Sequence, residues 1–216
     1  LICSTAAHFL SAAIAFVITP FLIAKVGMEA YGFYPISAEL TAFFGLFCGV
    51  VNSTASRYIT VEDARGNSGE ASRYFSTVFF SNVFLSAILL IPMGLFVAFV
   101  DKILSVPAGM VGELRIFFAL VLLSVLVNAL STAFGSAYSV SNRIDLRSAQ
   151  DFIAVLLKAA ILFGLLGGGF SSSIISIGIA LLISNVTGAI IQFLMCRRLT
   201  PELMLSWRNV SRAHAG

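Results

Sequence analysis

One lysine sits where a charge is hardest to keep. Lys158 is flanked by AVLL and AAIL, deep enough in an apolar run that its amine cannot easily reach water along its own stem. Ionisable groups in such places face a polar cavity or a partner charge. Glu39, in the run SAELTAFFGLF, is the natural counterpart: it can hold a proton, pair with Lys158 or reach the interface. Asp151 opens the run DFIAVLLK and His8 lies in STAAHFLSAA. Asp151 reads as a helix-end carboxylate or a second coupling group. His8 reads as a hydrogen-bonded core residue or a proton relay. Asn82, Asn128 and Asn185 fall in three further apolar runs. Each Asn alone reads as an interhelical hydrogen bond; together they predict a bundle with a polar interior.

The elements that hold these residues are membrane spans. The chain of 216 residues is 59% hydrophobic and only 11% charged, with a mean hydropathy of +1.00. A soluble domain carries roughly 25% charged residues. A span needs about 20 apolar residues. Six candidates follow: about 1–24, 33–51, 75–99, 116–140, 150–167 and 171–195. All are apolar all round, which excludes the alternation of a membrane barrel and predicts an all-α bundle. Residues 196–216 read as a tail or linker. The chain opens on LICSTAAHF, already inside an apolar run, so the first span reads as one whose upstream end has been cut away. Pro20 and Pro92 predict kinks within spans. Gly45 and Gly49 form a GxxxG pair, which predicts close helix packing.

Six spans place loops on alternating sides. Arg57, Arg65, Arg73, Arg143, Arg147, Arg197, Arg198, Arg208 and Arg212 share one side; Lys25, Lys102 and Arg115 share the other. The excess makes the first side cytoplasmic by the positive-inside rule. The loop 52–74, the loop 141–149 and the tail are then cytoplasmic. Within the first of these, RYITVEDARGNSGEASRY balances its arginines with acidic residues.

Several function classes are set aside. The sequence has no HExxH, GxSxG or phosphate-binding loop, so no enzyme, cofactor or metal site is expected. Cys3, Cys48 and Cys196 are not metal-spaced and read as apolar fillers. The net charge of +3 is spread along the chain, which argues against a nucleic-acid partner.

The run PFLIAKVGMEAYGFYPISAEL, 20–40, carries Pro20, Gly27, Tyr31 and Gly32; Ser56-Arg57-Tyr58, Ser72-Arg73-Tyr74 and Asn142-Arg143-Ile144-Asp145 mark two later loops. In order and spacing these resemble the polysaccharide exporters, the O-antigen and lipid-linked oligosaccharide flippases. Those belong to the multidrug/oligosaccharidyl-lipid/polysaccharide exporter superfamily. The resemblance runs along nearly the whole chain. It implies one six-span half, the N-terminal one, of a two-bundle transporter in a bacterial cell membrane. The partners implied are a lipid-linked oligosaccharide, membrane lipid and a second six-span bundle, in the same full-length chain or a homodimer. Lys158 would receive a lipid diphosphate, with Arg57, Arg73, Arg143 and Arg147 gathering it at the cytoplasmic mouth and Glu39 or Asp151 coupling an ion. The alternatives are a cation-coupled multidrug exporter of the same superfamily, a non-transporting membrane scaffold and, third, a membrane-embedded transferase.

Overall fold

The computed structural model describes residues 14, 16–107, 109–167 and 174–201, and the regular elements among them are all helices. In chain order the helices are α1 (Phe16–Val26), α2 (Met28–Tyr31), α3 (Phe33–Ala64), α4 (Ser68–Ala98), α5 (Val100–Ile103), α6 (Val111–Thr132), α7 (Ser136–Val140), α8 (Ile144–Gly167) and α9 (Ile175–Leu199). Five of the described helical stretches are long and apolar enough to cross a membrane; α1 is apolar but shorter. Most of the expected first span, with His8 and Cys3, lies outside the described residues.

The charged run between the second and third expected spans is not a loop. Helix α3 continues to Ala64 and α4 begins at Ser68, so only Arg65 to Asn67 turn the chain. Gly66 makes that turn at φ 77°, a left-handed conformation that a side chain resists. The Gly66 and Asn67 amides donate to the carbonyls of Asp63 and Glu62. The Glu62 carboxylate accepts from Arg65 at 2.8 Å and from Asn67 at 2.9 Å. Tyr58 and Tyr74 stack across the hairpin with ring centroids 5.4 Å apart. The paired arginine–tyrosine steps thus face each other on two helices. At 32 residues, α3 is about 48 Å long, well beyond the roughly 30 Å of hydrocarbon in a bilayer.

Helix α6 is the centre of the bundle. Nothing between Arg115 and Arg143 is charged, so any face of this helix can be buried without stranding an ion. Leu114, Phe117, Phe118 and Val121 are all at most 1% exposed, and Phe118 meets Phe96 of α4 edge-on at 5.1 Å. Helix α9 runs parallel to α6: Gly178 sits on Phe117 and Leu120, and further along Phe134 meets Phe193 at 5.4 Å. Helix α8 returns antiparallel to α9, with the Ser184 hydroxyl donating to the Ala154 carbonyl and Gln150 to that of Gly188. Phe21 of α1 packs on Phe163 of α8 at 4.6 Å. After Thr132 the chain tightens into a 3₁₀ turn, Ala133–Gly135, before α7, within one continuous helical stretch, Val111–Val140. Asn142 closes α7 at φ 51°, which Asn tolerates, and α8 starts two residues later. Asp145 in its first turn and Arg197 and Arg198 in the last turn of α9 complement the helix dipoles. Facing outward, Phe43, Leu46, Val50, Phe84 and Ile91 are among many large apolar side chains left exposed. That is the pattern of a surface made for lipid.

Candidate functional site

A cleft of about 500 Å³ opens in the bundle between α3, α6, α7, α8 and α9. Its longest wall is one face of α3: Thr41, Phe44, Gly45, Cys48, Gly49, Asn52, Ser53 and Ser56. The spacing repeats three and four residues apart, the period of a single helical stripe. Over that stripe the cleft runs about 22 Å along the helix. Val125, Asn128, Ala129 and Thr132 supply the facing wall from α6 by the same spacing, and Tyr138, Arg147 and Gln192 close the arginine-rich end. Gly45 and Gly49 have open space where a Cβ would stand. Their GxxxG pair therefore hollows the wall here, where spacing alone predicts a packing seam.

Two hydrogen-bonded groups fix the walls. Asn52, Asn82 and Thr132 join α3, α4 and α6. Asn82 donates to Asn52 Oδ1 at 3.2 Å and to Thr132 Oγ1 at 3.3 Å. Asn52 donates to Asn82 Oδ1 at 3.4 Å and to the Cys48 carbonyl at 2.6 Å. Asn82 is fully buried. Interhelical hydrogen bonds of this kind contribute about 0.6 kcal/mol each in membrane bundles. The second group ties α7 to α8 and α9. The Tyr138 hydroxyl donates to Gln150 Oε1, and Gln150 Nε2 donates to the Gly188 carbonyl at 3.2 Å. The two groups flank the 3₁₀ turn, at Thr132 before it and Tyr138 after it.

The sequence-predicted residues divide. Asn128 and Arg147 line the cleft, and Asn82 braces two of its lining residues. Lys158 is half-buried and does not line it. Its spacing of eleven residues from Arg147 places it on the same face of α8, about three turns further along. No ion pair joins Lys158 to Glu39 among the described residues; Glu39 lies exposed on α3. Asp151 is exposed one turn from Arg147. Asn185 donates to the Leu181 carbonyl of its own helix. The four arginines do not form one cluster. Arg73 pairs with Glu70 at 3.1 Å and Arg143 with Asp145 at 3.4 Å, and Arg57 falls on the side of α3 away from the cleft stripe. Sequence reasoning missed Asn52, Ser53, Ser56, Thr132, Tyr138 and Gln150. The signal available for α3 was a stripe of small and polar residues at helical period inside an otherwise greasy run.

The charge of this cleft is simple. Among its described lining residues Arg147 carries the one charge, a cation, and none is a carboxylate. Hydroxyls, amides and one guanidinium form a wall suited to a polar, anionic guest. At the opposite end of the bundle, Arg115 donates to Asp101 at 2.9 Å, which holds that exposed carboxyl below its usual range.

No protein-family model matches the chain, and no solved structure matches it significantly. It is 24% identical over 205 residues to a Bacillus subtilis (strain 168) protein named uncharacterized membrane protein EpsK. That match takes in 95% of this chain and 40% of the relative. The chain is thus an all-helical membrane bundle, similar along nearly its whole length to a membrane protein of which it spans two fifths.

Proposed function

We propose that this bundle is one half of a transporter that moves a lipid-diphosphate-linked oligosaccharide across a bacterial cell membrane for polysaccharide biosynthesis. One observation carries the reading: a polar cleft inside the bundle whose described lining residues include a single cation and no anion. Sugars and a diphosphate cannot cross roughly 30 Å of hydrocarbon unaided. The cleft's amides and hydroxyls would take the sugars, Arg147 would meet the diphosphate at the mouth, and Lys158, on the same face of α8, would be the next cation along. A prenyl tail would stay in lipid. A second bundle closes the cleft, and the two rock about it, as in other repeat-built transporters. No covalent step is involved. A cation-coupled drug exporter would want carboxylates on this wall.

The test is export in a strain that depends on the full-length protein. Charge-assisted hydrogen bonds contribute about 1.5–3 kcal/mol, so Arg147→Gln lowers surface polysaccharide about tenfold or more at unchanged protein level. Lys158→Ala lowers it as well. Undiminished export in both variants removes the anion-carrying cleft from the mechanism.

In this reading the arginine-rich end is cytoplasmic. Single cysteines placed at Arg65 and at Lys102, in a background without the native cysteines, report it. An impermeant maleimide added to intact cells labels position 102 and leaves position 65 untouched. The reverse pattern inverts the bundle.

A further inference from the structure

On the far side of α3 from the cleft, a groove follows the seam with α4. Its apolar end, of about 350 Å³, is formed by Leu46, Phe47, Val50 and Leu85. Val50 also lines an adjoining hollow of about 310 Å³, so the two meet at that residue. Moving toward the arginine-rich end, the walls change from aliphatic to hydroxyl-bearing, with Thr54, Thr77 and Ser81, and finish at the stacked pair Tyr58 and Tyr74. Arg57 shares the face of Val50 and Thr54 by helical spacing, and Arg73 shares that of Thr77 and Ser81. From Leu46 to Tyr58 the groove runs about 18 Å, close to the roughly 15 Å of one leaflet's hydrocarbon.

An aliphatic trough, then hydroxyls, then aromatic rings, then two guanidinium groups is the polarity profile of one lipid molecule read from tail to head. The rings sit where amphipathic aromatics settle at an interface. Arg57 has no carboxylate partner among the described residues, and Arg73 shares Glu70 at the exposed rim. The pair therefore keeps positive character at the head end. We infer that the α3–α4 groove is a binding site for one anionic glycerophospholipid, separate from the cleft and drawn from the leaflet at the arginine-rich end.

Native mass spectrometry of the full-length protein, released from detergent with added lipid, tests this. Phosphatidylglycerol is retained at about tenfold lower concentration than phosphatidylcholine of the same chains. Arg57→Gln with Arg73→Gln abolishes that preference and leaves weak retention of both lipids. Val50→Trp, which fills the trough, lowers retention of both. Arg198→Gln removes a charge at the same end and leaves the preference intact. Equal loss in Arg198→Gln would mean diffuse surface charge and overturn the site. Competition by soluble glycerol phosphate at the concentration of the lipid would overturn the lipid assignment in favour of a free phosphate site. A protein dimer that dissociates in Val50→Trp would give the groove to a second copy instead. None of these readouts depends on export, so the site and the transport reading can fail separately.

Discussion

Placing leucine at both Gly45 and Gly49 cuts export roughly a hundredfold while the protein becomes no less stable. The two effects have different origins. Both glycines face the cleft with nothing within 4 Å of an added Cβ, so the new side chains enter space that the guest must use. Crowding extra side-chain volume into an occupied space costs about 1–3 kcal/mol, and a guest filling the cleft would meet a misfit of that size at each leucine. Two such obstructions, at about 1.5 kcal/mol each, give the hundredfold. Meanwhile each glycine is inside α3, and replacing an interior helical glycine with leucine favours the helix by roughly 0.5–1 kcal/mol. Export by polysaccharide assay and thermal unfolding of the purified full-length protein read the two quantities independently. Lost export with a lower unfolding temperature would return these glycines to the packing seam that their GxxxG spacing suggests, and the cleft would lose its longest wall.

The same substitution at Gly178 has the opposite effect on stability. A Cβ there would stand 3.0 Å from Leu120 Cδ1, 3.2 Å from Leu120 Cβ and 3.3 Å from a Phe117 ring carbon. Phe117 is fully buried and cannot swing away. Gly178→Leu pushes α9 off α6 at a close point of their parallel contact and costs about 1–3 kcal/mol, more than the helix propensity returns. Unfolding temperature falls by several degrees relative to the parent, whereas the leucine pair at 45 and 49 leaves it level or raised. An unchanged value for Gly178→Leu would mean that α6 and α9 are not in close contact in the membrane. This contrast uses identical chemistry and reverses the expectation from spacing, which puts the close packing at Gly45 and Gly49.

That contrast also shows which parts of the fold the sequence carries. Long helices were legible from 75 onward because an apolar run of about 20 residues has few other uses. The ends were less legible. Residues 57–74 look like a loop by charge, yet α3 and α4 extend through them because i,i+3 ion pairs and the Gly66 turn make charged helix ends stable in water. In the site, rarity guided attention to Lys158, the loudest single residue. The cleft is instead built from small residues, each ordinary alone, whose meaning is in their shared face. Asn52 sits in an Asn-Ser-Thr sequence that matches a glycosylation signal. Its partners Asn82 and Thr132 are 30 and 80 residues away, a juxtaposition that only the folded bundle supplies. Arg57 and Arg147 read alike as basic loop residues. The rotation of α3 turns Arg57 away from the cleft, while that of α8 brings Arg147 to its wall.

The length of α3 and α4 has a mechanical meaning. At about 48 Å, α3 is longer than the hydrocarbon is thick, and the hairpin beyond the stacked tyrosines is braced by the two glutamate–arginine pairs. It is a mast fixed to the bundle. Over about 48 Å, a ten-degree rotation of the bundle swings the tip at Gly66 through roughly 8 Å. A spectroscopic ruler anchored there reads the attitude of the membrane part from the aqueous side, with no probe placed inside the cleft.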